Sequence, residues 1–270
     1  MPTGAITGYI DVAQLVLYGF WIFFAGLIIY LRREDKREGY PMESDRSDRA
    51  PRVKVVGFPD MPEPKVFRLP HGQGSREAPR PEAPLGDISG TKAAAPFLGA
   101  PLEPTGDPMR DGVGPASYAP REDAPDLTVD GDPKVIPMRL AEGFGPEPDD
   151  PDPRGMDVVG ADGEVAGTVK DLWVDLAEPR ILYYEVELLP AIAGEEAAGN
   201  APNPLLPYGF ARARLNQGRI LVASILAEQF RHVPRTASPD RITRLEEDRV
   251  TAYYAGGHLY AKPSRQEPLI

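Results

Sequence analysis

Val12-Ala-Gln-Leu-Val-Leu-Tyr-Gly-Phe-Trp-Ile-Phe-Phe-Ala-Gly-Leu-Ile-Ile-Tyr-Leu31 is a run of twenty residues with no charge and one polar amide, Gln14. At about 1.5 Å rise per residue a helix of that length spans roughly 30 Å, the hydrocarbon thickness of a bilayer. Only Asp11 precedes it closely, whereas Arg32, Arg33, Lys36 and Arg37 come directly after it. Positive charge stays on the cytoplasmic side, so the N-terminus is expected in the periplasm and everything after the span in the cytoplasm of a bacterial inner membrane. Tyr9 and Tyr30 fall near the two interfaces, and Tyr30, Arg32 and Arg33 are the residues expected to touch lipid headgroups. A signal peptide has a basic start, a shorter apolar core and a small-x-small cleavage site, and none of these is present.

The rest of the chain is acidic. Formal net charge is −11 over 270 residues, which argues against nucleic acid as a partner, because its binders carry a basic footprint. There is no cysteine, so disulfides, thiolate nucleophiles and cysteine metal sites are excluded. The three histidines, His71, His232 and His258, stand in no metal-ligand spacing and read as surface or packing residues. No nucleophile elbow, phosphate loop or dinucleotide fingerprint is present either.

Composition divides the chain beyond the span. Twenty-two of the 32 prolines lie between Pro41 and Pro153, which rules out a continuous sheet or helix bundle there. Apolar residues such as Val55, Phe58, Phe67, Phe97 and Val135 punctuate this stretch, and they suit an irregular chain lying on another protein's surface. From about Met156 the pattern becomes short alternating strands. Turn signals at Ala161-Asp162-Gly163 and Asn216-Gln-Gly218 separate them, giving five or six antiparallel strands in about 70 residues and hence a small barrel. Thr243-Arg-Leu-Glu246 reads as a capping box opening a helix over about 240–255 that Gly256-Gly257 would stop. Residues 191–203, rich in Ala, Gly and Glu, read as an inserted loop. The expected division is therefore 1–11 outside, 12–31 across, 32–154 irregular and proline-rich, 155–262 barrel with helix, and 263–270 tail.

The remaining chemistry is in carboxylates placed close together: Asp130 and Asp132; Asp171, Asp175 and Glu178; Glu185 and Glu187; and Glu246, Glu247 and Asp248. Acids on exposed strands mostly just solvate them. Alternatively, neighbouring carboxylates that cannot all ionise cheaply hold and pass protons. The pattern alone leaves both readings open.

Longer motifs are more specific. Tyr18-Gly-Phe-Trp-Ile-Phe-Phe-Ala-Gly-Leu-Ile-Ile-Tyr30, Arg37-Glu-Gly-Tyr-Pro41, Leu69-Pro-His-Gly72, Pro104-Thr-Gly-Asp-Pro-Met-Arg-Asp-Gly-Val-Gly-Pro-Ala-Ser-Tyr118, Asp171-Leu-Trp-Val-Asp175, Leu245-Glu-Glu-Asp248 and Tyr254-Ala-Gly-Gly-His-Leu-Tyr260 occur in that order. In them the chain resembles the H subunit of the photosynthetic reaction centre of purple bacteria, nearly end to end, with a PRC-barrel cytoplasmic domain.

The resemblance implies a non-enzymatic subunit that binds no pigment or metal itself. Its implied partners are the L and M subunits, which hold bacteriochlorophyll, bacteriopheophytin, quinones, a non-haem iron and carotenoid. Antenna and cytochrome subunits and membrane lipid are further implied neighbours. It also implies shielding of the quinone sites and a proton path to the secondary quinone, with Glu178 near its inner end, Asp175 before it, and Asp130 and Asp132 at the entrance. Better-known members carry a histidine pair before the Lys-x-x-Pro-Met element. Here Asp130-Gly-Asp132 precedes Lys134-Val-Ile-Pro-Met138, so the near-neutral titration of histidine is lost from that point. A membrane-tethered barrel that docks some other cytoplasmic partner would leave the Pro104 to Tyr118 motif unexplained, and for a membrane-anchored hydrolase no activated nucleophile or metal set is visible.

Overall fold

The computed structural model describes residues 4–7, 9–43, 53–79, 90–97, 100–194 and 201–266. They fall into two compact units, residues 1–86 with 97–99, and residues 87–96 with 100–270. The first contains α1 (Val12–Asp35), with no buried residue and length and apolarity enough to cross a membrane. Its start is fixed by a reciprocal cap: Asp11 accepts the Gln14 N–H at 2.8 Å, and the Gln14 side chain accepts the Asp11 N–H at 3.4 Å. The lone amide of the apolar run thus closes the first turn.

Beyond α1 the proline-rich chain makes only small antiparallel ladders, β1 (Met42–Glu43) with β2 (Lys54–Val55) and β3 (Lys65–Arg68) with β4 (Ser75–Ala78). His71 and Gly72, both with positive φ (56° and 70°), turn the chain between β3 and β4, as a tight hairpin requires. Lys36 is 1% exposed, and its ammonium donates to the carbonyls of Val56 at 2.6 Å, Gly57 at 2.8 Å and Pro59. Arg37 donates to the carbonyls of Glu63 and Ala78 and pairs with Glu34 at 2.9 Å. Two of the four cations after the span are therefore spent inside this unit, leaving Arg32 and Arg33 exposed.

The second unit begins with another ladder, β5 (Thr91–Ala93) with β6 (Leu102–Pro104), followed by the single-turn helix α2 (Pro108–Asp111). Its main sheet contains β7 (Val135–Pro137), β8 (Asp157–Val159), β9 (Val165–Asp175) and β10 (Arg180–Leu188). After the short helix α3 (Pro190–Ala193) it gains β11 (Leu205–Pro207), β12 (Ala211–Arg214) and β13 (Arg219–Val222). The order is β11-β10-β9-β8-β13-β12, with β7 pairing β9 beyond β8. Alternation along β13 buries Ile220 and Val222 and leaves Arg219 exposed, while Arg212 and Arg214 on β12 are exposed as well. Trp173, Leu172, Phe230, Leu205, Leu206, Ile220 and Tyr254 fill the core.

The structure is a barrel-like, mainly-β domain with a C-terminal helix, as the alternation predicts, and it differs in detail. Not every pairing is antiparallel: β8 and β13 run parallel. The long strand β9 runs without a break from Val165 to Asp175. The inserted stretch begins within α3 and leads from β10 to its antiparallel partner β11. Residues 195–200 within it lie outside the described residues, as do 267–270 of the tail. The C-terminal helix α4 runs Arg244–Tyr260, straight through Gly256-Gly257. A β-carbon at Gly256 would stand 2.6 Å from Ala116 Cβ, and one at Gly257 2.4 Å from Ile225 Cγ2. Close packing, and not helix termination, therefore explains these glycines.

The compact units also divide earlier along the chain than composition does, and residues 100–154 belong with the barrel. Asp107 caps α2 through the N–H of Met109 at 3.0 Å, and Gly112 (φ 70°) ends it. Met109, Val113 and Ala116 are then buried, with α2 and the following turn packed on α4. The unusual Pro104 to Tyr118 motif is thus a small helical clasp on the C-terminal helix.

Candidate functional site

Four of the acids singled out in the sequence lie toward one end of the sheet. β7 lies against the end of β9, with Val135 opposite Asp175 and Pro137 opposite Trp173. Asp175 is 1% exposed. Its Oδ1 accepts the N–H groups of Ala177 at 2.9 Å and Glu178 at 3.1 Å, and its Oδ2 lies 3.3 Å from Lys134 Nζ. Both oxygens are satisfied, which a buried carboxylate requires.

Glu178, in the β9–β10 turn, is exposed and pairs with Arg180 at 3.2 Å. Asp130 and Asp132 stand on an exposed turn that Thr128 closes by accepting the Gly131 N–H at 3.1 Å and, through Oγ1, the Asp132 N–H at 3.2 Å. Two residues later the chain reaches Lys134. The four positions thus share one end of the sheet. Among the described residues no hydrogen bond joins Asp130 or Asp132 to Asp175 or Glu178.

A residue that sequence reasoning missed, Arg139, holds two further buried acids. Asp171 and Glu185 are directly opposite each other on β9 and β10, an arrangement that repels unless a cation intervenes. Arg139 Nη1 lies 3.0 Å from Asp171 and 2.8 Å from Glu185, while its Nη2 donates to the Pro239 carbonyl at 2.6 Å. Burial works against the guanidinium's charge, but hydrogen bonds and charges from Glu185 and Asp171 outweigh it, so its pKa rises further. Trp173 Nε1 and Asn203 Nδ2 complete the donors to Glu185, at 3.2 and 2.8 Å. The only available signal was two acids at matching positions on consecutive strands, which demands a cation without saying which.

Glu247, read in the sequence only as one of an acid cluster, accepts the Tyr183 hydroxyl at 3.1 Å. Tyr183 is 5% exposed, and burial together with the Glu247 charge pushes its phenol far above the ordinary range. Burial likewise raises the Glu247 carboxyl, against the lowering effect of Tyr183 and Arg121. Glu247, Tyr183, Asp175, Lys134 and Asp126 line one cleft of about 680 Å³. Among the described residues no group of three or more His, Asp or Glu is placed to hold a metal ion. His258 packs its ring 5.8 Å from Phe210, and His232 Nε2 accepts from Arg231 at 3.2 Å.

One helix long and apolar enough to cross a membrane and a small mainly-β domain closed by a C-terminal helix define a membrane-anchored barrel protein. The family model for the PRC-barrel domain matches residues 149–229. That for the photosynthetic reaction centre, H-chain N-terminal region, matches residues 4–140, more than half of the 270. The chain belongs to the photosynthetic reaction centre H-chain family: a pigment-free, non-enzymatic structural subunit that associates with other reaction-centre subunits. The two matched regions are interlocked, since β7, Lys134 and Arg139 come from the H-chain region and the carboxylates they serve come from the barrel.

Proposed function

We propose that the chain caps the cytoplasmic face of the L and M subunits, shields their quinone sites from bulk water and hands protons toward the secondary quinone. In this reading the N-terminus is periplasmic and the barrel cytoplasmic. Tyr30, Arg32 and Arg33, all exposed at the end of α1, meet lipid headgroups. Complete reduction of a quinone takes up two protons, and a dry cap must still admit them. Antenna and cytochrome subunits are further neighbours, and the bacteriochlorophyll, bacteriopheophytin, quinones, non-haem iron and carotenoid belong to the partner subunits.

The observation that carries this reading is the gathering of Asp130, Asp132, Asp175 and Glu178 at one end of the sheet, with the only buried one, Asp175, held beside Lys134. Asp130 and Asp132 collect protons at an exposed turn, Asp175 relays them through the interior, and Glu178 presents them to the partner subunits. A relay of this kind works where water bridges successive carboxylates.

Glu178→Gln in the purified complex tests it. Proton-coupled second electron transfer should slow by about tenfold or more, with the first charge separation intact. Second-transfer kinetics unchanged across the pH range would remove Glu178 from the path. Replacing Asp130 and Asp132 together by Asn should slow proton uptake, and no slowing would move the entrance elsewhere.

A further inference from the structure

We propose that the Tyr183–Glu247 pair is a proton store, exchanging with Asp175 through water in the cleft that Glu247, Tyr183 and Asp175 line together. The inference rests on the proton-delivery reading above and adds to it a site on α4, outside the β9–β10 turn and the Asp130–Asp132 turn.

Geometry carries it first. Tyr183 lies in the middle of β10 and Glu247 in the first turns of α4, and the two are joined across the domain by the 3.1 Å hydrogen bond. The cleft beside them, about 680 Å³, has Asp175 and Lys134 in its wall, and exposed Asp126 beside them. Space of that size with several polar walls takes water, and water is the conductor that a relay between non-touching carboxyls needs.

The two groups then divide their roles. The Tyr183 phenol is held so far above its ordinary range by burial and by the neighbouring carboxylate that it keeps its proton and acts only as a fixed hydrogen-bond donor. Glu247 is the group that changes state. Burial favours its neutral form, and Asp126 and Asp248 push the same way, whereas the Tyr183 hydroxyl and Arg121 favour the anion. Lys134, Arg180 and Tyr208 face the cleft as well. The net direction is upward, so of the pair it is the Glu247 carboxyl, facing the cleft, that can exchange a proton.

In the step itself, the O–H bond of neutral Glu247 breaks and its proton passes by way of water to a carboxylate oxygen of Asp175. The Glu247 anion left behind is stabilised by the Tyr183 O–H. A proton from solution, entering past Asp126, restores the neutral acid, so charge balances with no other reactant.

Infrared difference spectroscopy of the intact complex tests this. A carboxylic C=O band that grows as pH is lowered should be lost in Glu247→Gln and should titrate at higher pH in Tyr183→Phe, which removes only the donor to the anion. In the wild type the band should fall in amplitude after the second of two flashes. A wild-type spectrum with no band sensitive to Glu247→Gln would overturn the store. So would a band that Tyr183→Phe leaves unmoved or that ignores the second flash. None of these results depends on the rates of Glu178→Gln, which test the delivery path separately.

Discussion

The juxtamembrane unit and the barrel unit both bury charge, and they do so with opposite signs. After α1 the interior charge is cationic: Lys36 ends on three backbone carbonyls and Arg37 on two more. In the barrel unit the buried charges are carboxylates, Asp171, Asp175, Glu185 and the helix-capping Glu246, with Lys134 and Arg139 reaching the first three from a more exposed position. The cause is the backbone. A proline-rich irregular chain lacks amide donors and leaves carbonyl acceptors over, so a buried ammonium is the group that satisfies it. A sheet satisfies its own backbone, so its buried side chains must find partners among themselves. The first solution ties side chains to backbone, and the second ties carboxylates to cations brought in by neighbouring strands and turns.

Breaking the barrel's solution should have the largest effect. Arg139→Met strands Asp171 and Glu185 opposite each other and should cost about 3 kcal/mol, at the low end for a buried ion pair because Arg139 is itself 39% exposed. Thermal unfolding of the detergent-solubilised chain measures it, and adding Asp171→Asn with Glu185→Gln should recover most of the loss. Lys36→Met should cost about 2 kcal/mol by leaving three carbonyls without their donor. Its signature is local, as faster amide exchange over residues 53–59 with the barrel amides unchanged; loss of protection in both would mean the two units do not hold charge independently.

Gly257→Ala comes next, at about 1–2 kcal/mol, because the added methyl meets Ile225 and the Ser224 carbonyl at 2.7 Å. A gain in stability there, as helix propensity alone would give, would show that the contact relaxes. The smallest effect is the pH dependence of Glu247. Its carboxyl is raised in the folded state, so the stability from keeping that proton is present below the ordinary carboxylate range and is lost as pH rises through the raised value. Glu247→Gln should therefore gain on the wild type as pH climbs, seen as a narrowing and then reversed difference in unfolding midpoint.

The same contrast explains what the sequence could reveal. The span, the β8–β9 and β12–β13 turns at Gly163 and Gly218, and the Thr243–Glu246 cap are local patterns. Each forms where it was expected, the last with Glu246 N–H to Thr243 Oγ1 at 3.2 Å. What stayed hidden depends on long-range contact. The parallel β8–β13 pair, the passage of α4 through Gly256-Gly257, and Arg139 reaching Glu185 from 46 residues away leave no periodic trace. The basic cluster after the span was legible as a topology signal, whereas the internal use of Lys36 was not, since it depends on where residues 56–59 return. The resemblance named Asp130, Asp132, Asp175 and Glu178 together; that Asp175 alone of the four is buried, beside Lys134, depends on the register of β7 against β9.

The most direct measurement tracks proton uptake with a pH-sensitive dye after the second of two flashes, in complexes carrying Asp175→Asn or Lys36→Met. The account predicts slowed uptake in Asp175→Asn, at unaltered first charge separation, and wild-type uptake in Lys36→Met. Wild-type uptake in Asp175→Asn, or equal slowing in both, would contradict the assignment of proton handling to the carboxylate end of the barrel.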